Sequence, residues 1–272
     1  MPPDRGDSGM TFRNLTETTW RETRAAAAGA IAVLPIGSQE QHAGHLPMGT
    51  DTMLVDAVLS RALDLLAEQA AAGADVPDLV RLPTLPYGHS PHHTFAAALT
   101  LSAPVLGAVL DELLDSLAAC GHRRVLVVNG HGGNDEIMRL AVKRFALRAD
   151  VTAAACSYWT LADASDSEDH SELVPGHAGW FETSLMLAAR PEQVRPERDA
   201  REPVDPPPLF DKPPHPGLTV ERHGEWERVG GATDDAAGAD ATHGARLLDA
   251  RVRGLARAVL AFDAATRPDP TR

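Results

Sequence analysis

Residues 124–147 read RVLVVNGHGGNDEIMRLAVKRFAL. Arg124–Asn129 is a short apolar run between polar residues, which predicts a buried strand. A Gly-rich turn at 130–133 follows, and we predict a helix over 134–147. A strand that passes through a tight turn into a helix is the repeating unit of α/β proteins with a parallel sheet.

The same alternation extends in both directions from this unit. Further strands are predicted at 30–36, 80–85 and 151–158. Further helices are predicted at 14–28, 52–72, 104–119, 180–189 and 242–265. This pattern predicts an α/β fold, a three-layer α/β/α sandwich with a mostly parallel central sheet. We interpret residues 1–272 as a single domain with ragged termini at 1–10 and 266–272.

Two later stretches do not fit the alternation. Asp163–Glu172 is acidic and polar, which predicts a surface loop. Residues 191–217 contain nine prolines, which exclude a regular helix or a central strand. We expect this Pro-rich segment to be extended and to lie on the surface or on a neighbouring subunit.

The charge balance excludes some classes of partner. The chain has 25 Lys and Arg against 38 Asp and Glu, a net charge of −13. Nucleic acids and anionic membranes need clustered positive charge, so we expect neither as a partner. No apolar run approaches the ~20 residues of a membrane helix. The polar start of the chain and two cysteines outside any CxxC pair predict a cytoplasmic protein.

The segment with the most candidate metal-ligating residues is GSQEQHAGHLPMGTD, residues 37–51. It follows a predicted strand end, where open α/β sheets place their ligands. Glu40 and His42 would point to the same side of an extended segment, and Asp51 arrives after a turn. Two carboxylates and an imidazole are a ligand set for a divalent metal, and an aspartate can bridge two ions. The alternative is a polar surface loop.

Two further segments carry candidate residues. His131 lies in the NGHGGN turn, at the sheet edge that is expected to meet residues 37–51; it is either a ligand or a packing residue. In GHAGWFETS, residues 176–184, we predict His177 as an acid–base catalyst. Glu182 is predicted as a metal ligand or carboxylate base, although an acid in a first helical turn is also explained by the helix dipole.

The loop YGHSPHH, residues 87–93, could line the pocket. Its three histidines could form a further metal site or could be solvated, and both readings stay open. Trp159 and Trp180 could close an aromatic wall over a ligand, although core packing is the commoner role of tryptophan.

Four segments together resemble the creatininase (creatinine amidohydrolase) family: LPIGSQEQHAGHLPMGTD, LPYGHSPHH, VLVVNGHGGN and GHAGWFETSLMLAARPEQV. The resemblance implies an α/β/α sandwich, two divalent metal ions (zinc, manganese or iron), hydrolysis of a C–N amide bond and often a hexamer. It implies metal ligands at Glu40, His42, Asp51 and His131, with Asp51 as the bridge. It also implies that His177 is a proton shuttle.

The chain departs from the family pattern at several positions. Creatinine-hydrolysing members carry a Tyr and a metal-binding Glu directly after NGH, where this chain has Gly132 and Gly133. Either Glu182 completes the second metal site, or that site is weaker. This difference argues against creatinine as the substrate. His92 also replaces an acidic residue of the family pattern, and Ala43 and Gly44 replace Gly-Pro.

We therefore predict a metal-dependent amidohydrolase in which a metal-activated water attacks a cyclic amide, a formamide or a small linear amide. His177 and Glu182 are the predicted catalytic residues. The predicted substrate-binding residues are Tyr87, Ser90, Gly132, Gly133 and Trp159. The alternatives are a peptidase that matures a small precursor peptide and a non-catalytic metal-binding member of the family. The expected partner is a small-molecule amide, and a homo-oligomer is expected.

Overall fold

A central parallel sheet organises the chain, for which the computed structural model describes residues 12–161, 176–198 and 204–267. Its strands are β1 (Phe12–Asn14), β2 (Ile31–Ile36), β3 (Leu79–Arg81), β4 (Arg124–Asn129) and β5 (Thr152–Ser157). They lie in the order β1-β3-β2-β4-β5, and every neighbouring pair is parallel. The two central strands, β2 and β4, are completely buried, which explains their apolar sequences.

Helices cover both faces of this sheet. They are α1 (Trp20–Ala27), α2 (Thr50–Ala71), α3 (Ala103–Cys120), α4 (Asp135–Arg148), α5 (Trp180–Ala189), α6 (Glu225–Arg228) and α7 (Ala241–Thr266). Because strand side chains alternate, Ile31 and Val33 of β2 pack with α2, α5 and α7 on one face. Ala32 and Leu34 pack with α3 and α4 on the other. The predicted α/β/α sandwich is confirmed.

The observed element boundaries differ most from the predicted ones at the start of the chain. The predicted helix over 14–28 is wrong in its first part, because the short edge strand β1 and a 3-10 turn at Leu15–Glu17 precede α1. α1 begins after Thr19, which forms a capping box with Glu22. The strand predicted at 80–85 is shorter, since Pro83 cannot donate to a ladder.

Some predictions fall on residues outside the described ranges, namely the loop Asp163–Glu172, the terminus 1–10 and, of the terminus 266–272, residues 268–272. Thr266 is the last residue of α7. In the described parts of the Pro-rich segment, only Pro191–Gln193 forms a helical turn, a 3-10 turn, and no strand occurs. None of the helices in the described part of the chain is long and apolar enough to cross a membrane.

Candidate metal centre

The register of β2 and β4 brings the two candidate loops together. Ile36 pairs with Asn129, so residues 37–51 and the NGHGGN turn leave the sheet side by side. The Asn129 side chain shapes the turn, because it accepts a hydrogen bond from His131 N at 3.0 Å and donates to His131 O at 2.7 Å. Asn134 Nδ2 donates to Gly37 O at 3.0 Å and ties the two loops to each other.

Asp51 lies at the centre of the cluster that these loops form. Its Oδ1 is 3.2 Å from His42 Nε2, and its Oδ2 is 3.2 Å from His131 Nδ1. Two sets of possible ligand atoms, each within 4.8 Å of one another, share this residue. The first triad is Glu40, Asp51 and His131, and the second triad is His42, Asp51 and Glu182. The predicted bridging position of Asp51 is therefore compatible with the geometry.

The donor set fits divalent cations. In the described part of the chain, the buried atoms Glu40 Oε1 and Asp51 Oδ2 receive no hydrogen bond. Buried carboxylate oxygens almost always have a partner, so each such atom requires an explanation. Three carboxylates, those of Glu40, Asp51 and Glu182, also crowd into one buried cluster, which costs energy unless cations lie between them. Mixed carboxylate and imidazole ligands suit zinc, manganese and iron.

The cluster holds the carboxylate of Glu40 in the charged form that a metal needs. Burial acts to raise the pKa of Glu40, but His131, His177 and His42 outweigh it and hold this pKa well below its ordinary value. Burial likewise acts to lower the pKa of His131, but Glu40 and Asp51 raise it well above the ordinary value.

His177 approaches the cluster from the other side. Its Nδ1 is 3.6 Å from Glu40 Oε1, and its Nε2 is 2.8 Å from the main-chain oxygen of Gln41. Burial, together with His42 and His93, holds the pKa of His177 well below its ordinary value. A neutral imidazole that donates from Nε2 presents the lone pair of Nδ1 to the cluster. The predicted role of proton shuttle needs such an atom, and it stays a prediction.

Glu182 reaches the cluster from the first turn of α5. Its Oε2 lies 3.8 Å from His42 Nε2 and accepts a hydrogen bond from Ala178 N at 2.6 Å. Ala178 has a φ of 56°, a conformation that is costly for a residue other than glycine. This hydrogen bond ties the strained turn between His177 and α5 to the carboxylate.

A second segment supports this turn from behind. Thr233 Oγ1 accepts a hydrogen bond from His177 N at 2.6 Å, and Thr233 N donates to His177 O at 3.1 Å. Asp234 Oδ2 accepts from Trp180 N at 3.1 Å, so it caps α5, whose N-cap residue Gly179 has no side chain. The backbone positions of both His177 and Glu182 therefore depend on residues 233–234.

The environment of Asp234 predicts a pH dependence of stability. Burial is the main reason why the pKa of Asp234 is raised from 3.8 to about 6. The folded chain then binds a proton more readily than the unfolded chain, so stability falls as the pH rises from about 4 to about 6. At 1.36 kcal/mol per pKa unit the loss is at most roughly 3 kcal/mol. Asp234→Asn should remove this loss of stability. Urea unfolding of the metal-free chain at about pH 4 and about pH 6 measures the effect.

The matched control is Glu221→Gln, which changes an exposed acid of the same region that is not among the charges acting on Asp234. It should leave the pH dependence of the wild type unchanged. Equal pH dependence of unfolding in the wild type and Asp234→Asn would contradict the prediction.

Comparison with known proteins places the chain in a family. The profile of the creatininase family, described as creatinine amidohydrolase, matches residues 16–259. The chain belongs to the creatininase family. Creatinine amidohydrolase from Pseudomonas putida is 31% identical over 265 residues, 89% of this chain and 94% of the relative. A mycofactocin precursor peptide peptidase from Mycobacterium ulcerans is 33% identical over 197 residues, 72% of this chain and 69% of the relative.

Solved creatininase structures extend the likeness to three dimensions. A manganese form of creatininase is 26% identical, with a TM-score of 0.71, and the match covers 95% of this chain and 100% of that one. A Zn–Zn form of a creatininase variant is also 26% identical, with a TM-score of 0.65, and the match covers 94% of this chain and 98% of that one. The predicted family is confirmed, and the chain is a hydrolase of that family.

Gly133, the departure from the creatininase pattern, is enforced by packing. A Cβ at this position would collide with the main-chain oxygen of His89 and with the ring of His131. The loop 88–93 occupies the space into which a glutamate at 133 would extend. In the described chain, the carboxylates that lie beside His42 are those of Asp51 and Glu182.

This packing predicts different effects for two neighbouring substitutions. Gly133→Ala should lower the free energy of unfolding by about 1–3 kcal/mol, because it overpacks a closed site. Gly132→Ala is the matched control, since a Cβ there would meet nothing within 4 Å. Its effect should stay within about 0.5 kcal/mol. Urea unfolding of both variants tests the prediction, and equal effects would contradict it.

The predicted substrate-binding residues have different surroundings. Ser90 is completely buried, and its hydroxyl bonds to Ser38 and, at 3.1 Å, to His131 Nε2. This placement suits support of a ligand better than contact with a substrate. Tyr87 is 44% exposed. Trp159 packs edge-on against Tyr158 in the core, and Gly132 is exposed.

The aromatic ring that does meet the cluster histidines is Trp226 on α6. Its ring centroid lies 4.8 Å from that of His92 and 5.0 Å from that of His93, and it also stacks on Phe210 of the Pro-rich segment at 4.0 Å. This part of the Pro-rich segment thus lies over the candidate site. His93 is completely buried, so the hypothesis that the loop histidines are solvated is wrong for His93. With Glu40, His92 and His93 form a third set of possible ligands.

Several residues of the site were not predicted from the sequence. They are Ser38, Gln41, Thr233, Asp234, Phe210 and Trp226. The sequence feature that relates to Asp234 is the pair of glycines Gly176 and Gly179, because a Cβ at either position would collide with the Asp234 carboxylate. The sequence names no partner for these glycines.

Proposed function

We propose that this chain is a dinuclear metal-dependent amidohydrolase that hydrolyses the C–N bond of a small amide other than creatinine. The observation that carries the proposal is the pair of ligand triads that share Asp51. The ions would be held by Glu40, Asp51 and His131, and by His42, Asp51 and Glu182. Zinc, manganese and iron all suit this donor set.

The residues around the two triads have separate roles in the proposed reaction. Two bound divalent ions would supply a water of lowered pKa and a polarised amide carbonyl. His177 would accept a proton at Nδ1 and return it to the leaving nitrogen. The turn at 132–134 follows the cluster residue His131 directly and leads into α4. The N–H groups of Gly132 and Gly133 are the proposed donors to the developing oxyanion.

Limited access supports a small substrate. Among the triad residues and His177, only the side chains of His177 and Glu182 are more than 5% exposed, at 12% and 10%. Trp226 stands edge-on to His177, with 6.2 Å between the ring centroids. A substrate would therefore approach between His177, Glu182 and Trp226. Tyr87, Ser90 and Trp159 remain predictions as substrate contacts.

A second candidate function is cleavage of a peptide, as the name of the mycobacterial relative suggests. A cavity of about 340 Å³ favours it, because its lining includes Thr233, which bonds to the backbone of His177, and Asp234, which bonds to Trp180 N. Pro207, Pro208 and Lys212 also line this cavity. It offers space for substrate atoms away from the scissile bond. The single domain over 1–272, the cytoplasmic location and the homo-oligomer also remain predictions.

The test combines metal analysis with a substrate panel. Protein purified without chelator should contain roughly two equivalents of divalent metal per chain. It should hydrolyse at least one of three compounds and leave creatinine intact: N-formylglycine to formate and glycine, acetamide to acetate and ammonia, or hydantoin to its ring-opened ureido acid. Cleavage confined to short peptides would favour the peptidase. Two equivalents without any turnover would support the non-catalytic alternative, and absence of metal under all conditions would refute the proposal.

A further inference from the structure

The side-chain amide of Gln41 has a defined orientation. Its Oε1 accepts a hydrogen bond from Ala43 N at 3.0 Å, and its Nε2 donates to Gly231 O at 2.8 Å. A backbone N–H only donates and a backbone carbonyl only accepts. These two contacts exclude the flipped amide, in which both pairs would be mismatched.

This orientation determines which nitrogen of His93 carries the proton. Gln41 Nε2 lies 2.8 Å from His93 Nδ1. Because the amide nitrogen can only donate, His93 Nδ1 must accept. A neutral His93 then carries its hydrogen on Nε2, which faces Glu40 Oε1 at 3.5 Å.

The main chain of Gln41 acts on His177 in the same way. The carbonyl oxygen of Gln41 lies 2.8 Å from His177 Nε2 and can only accept, so this nitrogen donates and carries the hydrogen. Gln41 Nε2 also lies 3.1 Å from His177 Nε2, but its two hydrogens are used by His93 Nδ1 and Gly231 O, so it makes no hydrogen bond to His177. The unprotonated Nδ1 of His177 then faces the same Glu40 oxygen at 3.6 Å. Glu40 Oε1 therefore faces the N–H of His93 at 3.5 Å and the lone pair of His177 Nδ1 at 3.6 Å.

Gly231 makes the amide orientation possible. Its φ is +74°, and a Cβ there would collide with the Gln41 amide. Only glycine adopts this conformation freely and leaves room for the contact. The neighbouring Gly230 also has a positive φ, +64°, but a Cβ there would meet nothing within 4 Å.

We propose that Gln41 is a positioning residue that sets the tautomers of both His93 and His177. Its amide turns the Nε2 hydrogen of His93 toward Glu40 Oε1, and its carbonyl leaves His177 Nδ1 free to take a proton. The catalytic consequence rests on the proposed function, whereas the tautomers themselves are properties of the metal-free chain.

The test is ¹⁵N NMR of the metal-free protein labelled at histidine, with His93 and His177 assigned from His93→Gln and His177→Gln. In the wild type, both rings should carry the hydrogen on Nε2. Gln41→Glu replaces the donating group by one that only accepts, so His93 should gain a proton on Nδ1 while His177 keeps its tautomer. The control Gln39→Glu adds the same charge at a side chain whose hydrogen bond goes to Thr52, and it should change neither ring.

A pair of glycine variants tests the same proposal without changing charge. Gly231→Ala should disturb the His93 signal, whereas Gly230→Ala, with a comparable backbone strain, should not. A wild-type His93 with its hydrogen on Nδ1 would overturn the proposal, and so would a His93 signal that Gln41→Glu leaves unchanged. The wild-type spectrum alone decides the matter if a variant fails to fold.

Activity gives an independent readout once a substrate is known. Gln41→Glu in the zinc-loaded enzyme should lower kcat by about 10–100-fold, a typical effect of groups that orient ligands, with a smaller change in KM. The expected tautomers without metal binding or hydrolysis would refute the proposed function and leave the positioning role intact. Metal binding and hydrolysis with other tautomers would refute the positioning role and leave the proposed function intact.

Discussion

Asp51→Asn is expected to reduce bound metal from roughly two equivalents to well below one, and hydrolysis by about 10³-fold or more. The reason is that both triads use this carboxylate, and its two oxygens face His42 and His131 from opposite sides. Asparagine keeps the shape of the side chain but offers one neutral oxygen, which cannot bridge two cations. Elemental analysis and a rate measurement on the same preparation would check both effects.

Asp64→Asn is the matched control for this substitution. Asp64 lies on the same helix, α2, and is exposed. It should retain the metal content and the rate of the wild type. Full metal occupancy in Asp51→Asn would show that Asp51 is not the bridge, and the two-triad proposal would then be wrong.

Glu182→Gln is expected to remove one ion and leave the other. The first triad does not include Glu182, so roughly one equivalent should remain, and hydrolysis should fall by about 10²–10³-fold. Glutamine retains an oxygen that can accept from Ala178 N, so the turn before α5 should keep its conformation. The same elemental analysis, with circular dichroism as a check of folding, measures the result.

Glu192→Gln controls for the loss of one negative charge close to the end of α5, because Glu192 is exposed. It should bind two equivalents. If Glu182→Gln also binds two, a residue other than Glu182 completes the second site. The third set of possible ligands, which includes His92 and His93, would then be examined first.

The sequence predicted the parts of the fold and the site that depend on local pattern. The β4 boundaries, Arg124–Asn129, agree with the prediction because the whole strand is buried and reads as a continuous apolar run. Glu40, Asp51 and His131 could be grouped in advance because they follow the carboxyl ends of strands in a parallel sheet. Their actual proximity depends on the β2–β4 pairing, which the alternation of elements only made plausible.

The remaining features depend on contacts between segments that are distant in sequence. Thr233 bonds to His177 from 56 positions away, and Gln41 reaches Gly231 from 190 positions away. No periodicity links such residues, so inspection of either segment alone gives no sign of the other. β1 was missed for a different reason, since a strand of three residues at a sheet edge has too little apolar sequence to be recognised.

The shared position of Asp51 also bears on how the folded chain resists unfolding. The two triads join the start of α2, the turn after β4 and the first turn of α5, which are widely separated along the chain. Ions held there would cross-link these three regions in the folded state only. Free metal at about 1,000 times its Kd would then add about 4.1 kcal/mol to the free energy of unfolding. The thermal midpoint would therefore depend on the free metal concentration of the surroundings.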